Sequence, residues 1–338
     1  MNYLKNYFKA TVIIVFAIGF SAVVSGPAHA QGKTTLIMGS DKPGGITHAA
    51  ATGVAKIVTQ NTPLTVRVRA YSGAEAWMPE MDTGKIDFGT HFSATAWMTY
   101  NQIDSKLKLR NIRLLRSSAA RLPLGFMVRK DSDIKSISDL KGKRVAGGYA
   151  VHPIMRRLAE GTMASYGLTW DDVKMVPVTS AVDGANAFIN GRVDVVWFAV
   201  LSALTREANA KLGVRFLPLE PTPERLKIMQ EKIYPGVMIV KNLVNTPWAP
   251  KGTMLTSYEY YIMGSSHTGN DSVKTALGAL WDHEKELVNV HNGMRGFINK
   301  SAASVMSVIP YHPAAIEFYK SKGVWTDEAE KANQLVIR

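Results

Sequence analysis

The chain contains no cysteine. That absence excludes a disulfide scaffold, a thiolate zinc site, a cysteine nucleophile, an iron–sulfur cluster and a lipid anchor on an N-terminal cysteine. Long apolar runs are almost missing too. The one uninterrupted stretch, Ala10 to Val24, has 15 residues, short of the roughly 20 that a membrane-spanning helix needs. Common catalytic signatures are absent: no GxSxG elbow, HExxH, Walker loop or GxGxxG after a strand occurs. No carboxylates are paired as a glycosidase would pair them. What is present is a chain of 338 residues, 46% hydrophobic and 20% charged, long enough for two domains with real cores and too apolar for disorder.

Lysine and arginine number 40 against 27 acidic residues, a formal charge of +13. The cations are scattered, as in KLKLR (106–110) and KGKR (141–144), with no basic helix and no alternation of aromatic and basic residues. Such a distribution reads as a solvated surface and argues against nucleic acid, while an anionic ligand is compatible. Residues 1–30 read as an export signal: Lys5 and Lys9, then the apolar run, then a small-x-small ending at Ala28-His29-Ala30. Cleavage there predicts a mature chain from Gln31 in the periplasm, with a formal charge of +11.

From Thr34 onward, short apolar runs alternate with helix-like segments, the pattern of an α/β protein with mainly parallel sheets. TTLIMG (34–39), LTVRVRA (64–70) and IDFGTH (86–91) read as strands, with helices over 49–59 and 72–81 between them. The order then recurs. KRVAGG (143–148), VKMVPV (173–178) and VDVVWFA (193–199) are strands, separated by helices ending at Ser165 and covering 180–190. Ser72 precedes Asp87 by 15 residues and Ser180 precedes Asp194 by 14; Gly39 precedes Asp87 by 48 and Gly148 precedes Asp194 by 46. Two copies of one βαβαβ unit are therefore expected. LPLGFMVRK (122–130) and MLTSYEYYIM (254–263) flank the second copy and are read as two crossover hinge strands. Residues 31–125 plus 257–338 then form lobe I, and residues 126–256 form lobe II. Ligands in such sheets bind beyond the carboxyl ends of the strands, here facing each other across a cleft.

These segments resemble the TAXI-type solute-binding proteins of tripartite ATP-independent periplasmic (TRAP) transporters. The resemblance runs through Gly44-Gly45, Ser72-Gly73, Gly84-Lys85-Ile86-Asp87-Phe88-Gly89, ISDLKGKRVAGG (137–148), YGLTWDDV (166–173), GRVD (191–194) and YHPAAIEFYKSKG (311–323). It implies a two-lobed periplasmic binding protein of type II, each lobe a mainly parallel sheet flanked by helices. The implied role is a receptor, not an enzyme, that closes as a monomer on a small carboxylate-type anion. It would deliver that solute to a TRAP membrane permease, without a cofactor. The ligand loops depart from the family: Ile46-Thr47-His48-Ala49 stands in place of Thr-Tyr-Tyr-Pro, and Ala150-Val151-His152-Pro153-Ile154 in place of Pro-Gly-Ser-Gly-Thr. The alternative is the receptor of an ABC importer for aromatic or sulfonated compounds, and behind it an exported α/β enzyme.

The candidate ligand residues follow from the strand ends. Gly45, Ile46, Thr47 and His48 lie where a strand meets a helix, whose free N–H groups attract a carboxylate, sulfonate or phosphate; the plain alternative is a turn with Thr47 as N-cap. Tyr71, Ser72 and Gly73 in the first repeat match Thr179 and Ser180 in the second; each serine either caps the next helix or donates to a ligand oxygen. His48, His91 and His152 are expected to approach the cleft from both sides and contact an anion or polar ligand, and no metal is assigned to them. Phe92, Ser93, Tyr149, Val151, Trp197, Phe198 and Tyr258 complete the set as strand-end and hinge residues, an aromatic lining that favours a ligand with an apolar or ring portion. Only one of the adjacent pair Trp197 and Phe198 can face it. Arg67 and Arg69 are expected at the surface. Arg116 and Arg156 are expected in surface ion pairs, or as a fork for a ligand carboxylate. Asp87 and Asp194 read as structural positions of the repeat.

Overall fold

Residues 34–43, 46–103, 107–119, 122–150 and 152–337 are described by the computed structural model. The expected export segment 1–30, and Gly45 and Val151 of the expected ligand loops, lie outside them.

The first repeat runs β1 (Thr35–Ser40), α1 (Ile46–Asn61), β2 (Thr65–Ala70), α2 (Ala74–Asp82), β3 (Phe88–Phe92) and α3 (Ser93–Asn101). After β4 (Ile112–Ser117) and β5 (Leu124–Arg129), the second repeat runs β6 (Arg144–Gly148), α4 (Pro153–Ala164), β7 (Lys174–Val178), α5 (Ala181–Ile189) and β8 (Val195–Ala199). Then come α6 (Ala203–Leu212), β9 (Val214–Phe216), α7 (Pro223–Lys232), β10 (Met238–Lys241), β11 (Met254–Ser257) and β12 (Tyr260–Ser265). Four helices close the chain: α8 (Asn270–Asp282), α9 (Glu284–Asn289), α10 (Pro313–Ser321) and α11 (Asp327–Ile337).

The described residues form two sheets. The first has the order β2-β1-β3-β12-β4, and the second β10-β11-β5-β8-β6-β7 with β9 beside β5. In each, the three repeat strands pair in parallel in the same order, β2-β1-β3 and β7-β6-β8. β12 runs antiparallel to β3 and β4 in the first sheet, and in the second the antiparallel pairs are β5 with β8, β9 and β11, and β10 with β11. Periodicity explains the elements. On β2 Val66 is buried while Arg67 and Arg69 face solvent, and on α1 Ala50, Ala51, Val54, Ala55 and Val58 are buried at helical spacing.

The two aspartates of the repeat do the same job. Asp87 Oδ2 accepts from the Ile37 N–H (2.8 Å) and Asp194 Oδ2 from the Arg144 N–H (3.0 Å), each across 50 residues. Their own N–H groups donate to Ile37 O (2.9 Å) and Arg144 O (2.8 Å). Each clamps the start of its first repeat strand to the turn entering the third.

The crossings refine the expected hinge. LPLGFMVRK does not itself cross: Leu124–Arg129 belongs wholly to the second sheet, so the first crossing lies between Ser117 of β4 and Leu124 of β5. Pro123 has no N–H to continue a ladder, so pairing begins at Leu124. The second run divides into β11 in one sheet and β12 in the other, with Tyr258 and Glu259 crossing between. The passages are tied side by side: Ser118 N–H donates to Tyr260 O (3.0 Å), Tyr260 N–H to Ser118 Oγ (2.9 Å) and Ser257 Oγ to Leu122 O (3.1 Å).

The C-terminal helices return to the first sheet, α8 packing on α1 and β4 and α10 on β4. YHPAAIEFYKSKG is the fastening. Tyr311 bridges Leu114, the His312 Nδ1 accepts from Ala314 N–H (3.2 Å) to cap α10, and Tyr319 hydroxyl donates to Leu115 O (2.7 Å). Arg116 departs from both sequence expectations. It is fully buried, and its guanidinium donates to Phe297 O and Asn299 Oδ1, both at 2.8 Å. A β4 residue covered by returning chain can satisfy a guanidinium with carbonyls instead of a carboxylate. Arg156 is in the surface pair expected, 3.7 Å from Glu160.

Candidate functional site

At the carboxyl end of β1 the chain turns through Asp41 into α1, and Asp41 gathers its neighbours. Its Oδ1 accepts from Trp77 Nε1 (3.0 Å), and its Oδ2 accepts from Thr47 Oγ1 (3.2 Å) and lies 3.3 Å from His91 Nε2. Burial alone would raise the carboxyl pKa. The His91 contact, with Trp77 and Thr47 behind it, outweighs that and holds Asp41 at about 2. Trp77 reaches Asp41 because two glycines leave room: a Cβ on Gly39 or Gly89 would sit 2.8 Å or 2.4 Å from the indole ring. Thr47 is further fixed by its carbonyl, which accepts from Thr90 Oγ1 (3.0 Å), and His48 Nδ1 lies 3.0 Å from Ser40 Oγ.

The second sheet approaches the same region. Gly148 and Tyr149 both adopt left-handed backbone (φ 81° and 48°) at the end of β6, turning the chain towards α4. His152 N-caps that helix, with Pro153 in its first turn. His152 Nδ1 accepts from Ala181 N–H (3.3 Å) at the start of α5. Its pKa is drawn down by desolvation first and by His91 second, with Asp41 opposing, so the second-sheet histidine lies in the electrostatic field of the first-sheet pair. Direct contact is made elsewhere. Ser93 Oγ, at the start of α3, lies 2.9 Å from the hydroxyl of Tyr234, which follows α7. Trp97 of α3 packs on the Tyr234 ring (5.9 Å) and under the Arg157 guanidinium of α4 (5.7 Å).

Beside these contacts lies a cavity of about 440 Å³, bounded by Ile46 at the start of α1, Phe92 and Ala199 at the ends of β3 and β8, Leu124 at the start of β5 and Tyr258 of the second crossing. Arg206, His291 and Asn292 form its exposed rim. Phe92 and Tyr258 pack edge to face (5.4 Å), and Phe92 and Tyr260 lie 5.0 Å apart. A hollow of about 520 Å³ at the opposite ends of β6 and β8 is lined by Arg144 and Asp194, which pair with each other.

The sequence-predicted residues thus separate. Ile46, Phe92 and Tyr258 line the cavity, while Thr47, His48, His91 and, by its field, His152 belong to the polar group around Asp41. Ser93 is spent on Tyr234. Tyr71 points its hydroxyl at Glu80 (2.8 Å) beside Arg69. Ser72 is exposed and does not cap α2; Gly73 takes that position with no side-chain bond. Ser180 does cap, accepting from Asp183 N–H (3.1 Å), while Thr179 N–H donates to Asp183 Oδ2 (2.8 Å). Tyr149, Trp197 and Phe198 are buried, Trp197 edge to face on Phe126 (4.9 Å), and none of the three lines the cavity. Asp41, Tyr234, Arg206 and His291 were missed. Only Asp41 left a trace in sequence, an acid between a strand end and a Pro-Gly-Gly turn, where it reads as a turn former. Among the described residues no group of three or more His, Cys, Asp or Glu is placed to hold a metal ion, and no helix is long and apolar enough to cross a membrane.

The family model described as NMT1-like family matches residues 38–323, a span that runs from within β1 through both repeats and both crossings to α10. The chain belongs to the NMT1-like family. Solved structures similar to this NMT1-like chain include one of a periplasmic transporter, with 14% identity over 91% of this chain and 98% of that one and a TM-score of 0.52. Two others are the aliphatic sulphonate binding protein SsuA of Escherichia coli (15% identity, 90% and 89% covered, TM-score 0.48) and the alkanesulfonate-binding SsuA of Xanthomonas axonopodis pv. citri (14%, 88% and 97%, 0.45). The fold is the two-sheet α/β architecture of type II periplasmic binding proteins.

Proposed function

We propose that this chain is an exported, periplasmic solute receptor that closes two lobes on a small organic anion and presents it to a membrane importer. The lobes are the first repeat with β4, β12 and the C-terminal helices, and the second repeat with β5, β9, β10 and β11. The observation that carries this reading is a cavity at the carboxyl ends of parallel strands from both sheets, next to the two passages that join them. A ligand touching both walls binds the closed arrangement better than the open one, and that difference moves the equilibrium. The chain is a binder, not a catalyst, and its partner is a permease.

Two importer types fit a receptor of this kind. YHPAAIEFYKSKG and the other segments resembling TAXI proteins favour a TRAP permease driven by an ion gradient. The aromatic lining of Phe92 and Tyr258 and the rim cation Arg206 favour the second reading, an ABC importer for aromatic or sulfonated compounds. Uptake of the bound solute into vesicles reconstituted with this receptor and a TRAP permease or an ABC importer separates them: transport on a sodium or proton gradient without ATP supports the first, and a strict ATP requirement the second.

The receptor role is tested on purified protein from residue 31 by a thermal-shift screen of carboxylates and sulfonates. A binding solute is expected to raise Tm with concentration by mass action, by about 2.7 kcal/mol of stability at a hundredfold excess over Kd, and to be recovered unchanged. Chemical conversion of the solute overturns the receptor role.

A further inference from the structure

We infer, on the basis of the receptor role proposed above, that the solute is a monoanion with an apolar body, seated with its charge on Arg206 and His291 and its body against Ile46, Phe92 and Tyr258. The charge layout of the cleft carries this. The start of α1, where sequence patterning places an anion, already holds the ionised carboxylate of Asp41, bonded to Trp77 and Thr47 and beside His91. A second anion there meets like charge at close range, which low dielectric makes costly. The cavity offers the opposite sign. None of its described lining residues is acidic.

Arg206 bonds to Leu201 O (3.2 Å) and makes no ion pair among the described residues, so its remaining donors are free for a carboxylate or sulfonate. His291 Nδ1 accepts from Gly293 N–H (3.0 Å), which assigns the proton of the neutral ring to Nε2 and makes that edge a second donor. Desolvation first, and Arg206 second, hold the His291 pKa below its ordinary value. Both residues are exposed at the rim, whereas Tyr258 and Leu124 are buried and Ile46 and Phe92 half-buried. The described floor offers an apolar surface and no second cation, so a dicarboxylate would leave one charge unpaired against it. A volume of about 440 Å³ is in the ordinary range for small-molecule sites.

Calorimetric titration with three probes tests this: 4-phenylbutyrate, its neutral amide, and glutarate. Phenylbutyrate is expected to bind at least about tenfold tighter than either of the others, the difference of one charge-assisted bond pair. Arg206→Gln is expected to cost phenylbutyrate about the same factor, to leave the amide unchanged within twofold, and to keep the Tm of the free protein; Arg206→Lys is expected to recover part of the loss. Glutarate binding tighter than phenylbutyrate, or an Arg206→Gln protein that holds phenylbutyrate unchanged, overturns the inference. If solutes of another class bind and Arg206→Gln leaves them untouched, the receptor role stands and this assignment falls. If no carboxylate, sulfonate or amino acid binds at all, both fall.

Discussion

Asp41 is a fixed charge in a cleft expected to attract anions, and it is held there by three partners from three elements. Its carboxyl sits at about 2 against 3.8 in the unfolded chain, so the folded state favours the ionised form. A depressed acid contributes stability that is full above the unfolded value and disappears as pH falls through the folded one. Asp41→Asn is therefore expected to be less stable than the parent by about 2 kcal/mol at pH 6. That gap should close between pH 4 and pH 2, as read by urea titration at each pH. A gap that persists at pH 2 would make the loss one of packing. Nothing in the local sequence foretold this role. The partners lie 6, 36 and 50 residues away, and a strand-end acid near Pro-Gly-Gly reads as part of a turn. Arg116 is the reverse case. The sequence places it in a surface ion pair or a ligand fork, and only the returning C-terminal chain buries it.

At the level of elements, the repeat was legible because spacing survives in sequence. The matching separations of Ser, Gly and Asp correspond to β2-β1-β3 and β7-β6-β8 with one aspartate clamp each. The cavity was half legible, because strand ends can be placed by periodicity whereas α6 and the 291–293 turn reach it only through tertiary packing. The crossing β11–β12 carries a further acid that periodicity reads as strand. Glu259 is buried, and Ser304 Oγ lies 2.7 Å from both of its carboxyl oxygens. A hydroxyl has one proton, so a protonated carboxyl completes the second bond. Burial, only partly offset by Ser304, Ser117 and Tyr261, pushes its pKa up to about 7. A raised acid stabilises the fold while protonated, so this contribution is full below the unfolded value near 4.5 and lost as pH rises towards 7. Glu259→Gln keeps a hydrogen-bonding group and removes the titration. Relative to the parent, the variant is expected to gain about 3 kcal/mol between pH 4.5 and pH 7.5. Parallel stability curves for the two proteins would place the ionisable group elsewhere.

For the whole molecule the question is what holds the two sheets' strand ends together before a solute arrives. The Ser93–Tyr234 hydroxyl pair is the shortest polar link described between them, and it is buried beside the Trp97 ring. Tyr234→Phe keeps the ring contact and deletes that one bond, leaving Ser93 without its partner. A neutral hydrogen bond of this kind is worth about 0.5–1.5 kcal/mol net, which shifts an open-to-closed ratio by about two- to tenfold. The variant is therefore expected to show a larger radius of gyration by small-angle X-ray scattering without solute. Its affinity should fall by a comparable factor, because each binding event then has to draw on a smaller closed population. Saturating solute should restore the parent scattering profile, since the walls of the cavity are unchanged. A variant with the parent profile and a lowered Tm would show instead that the bond supports the packing around Tyr234 and has no part in closure.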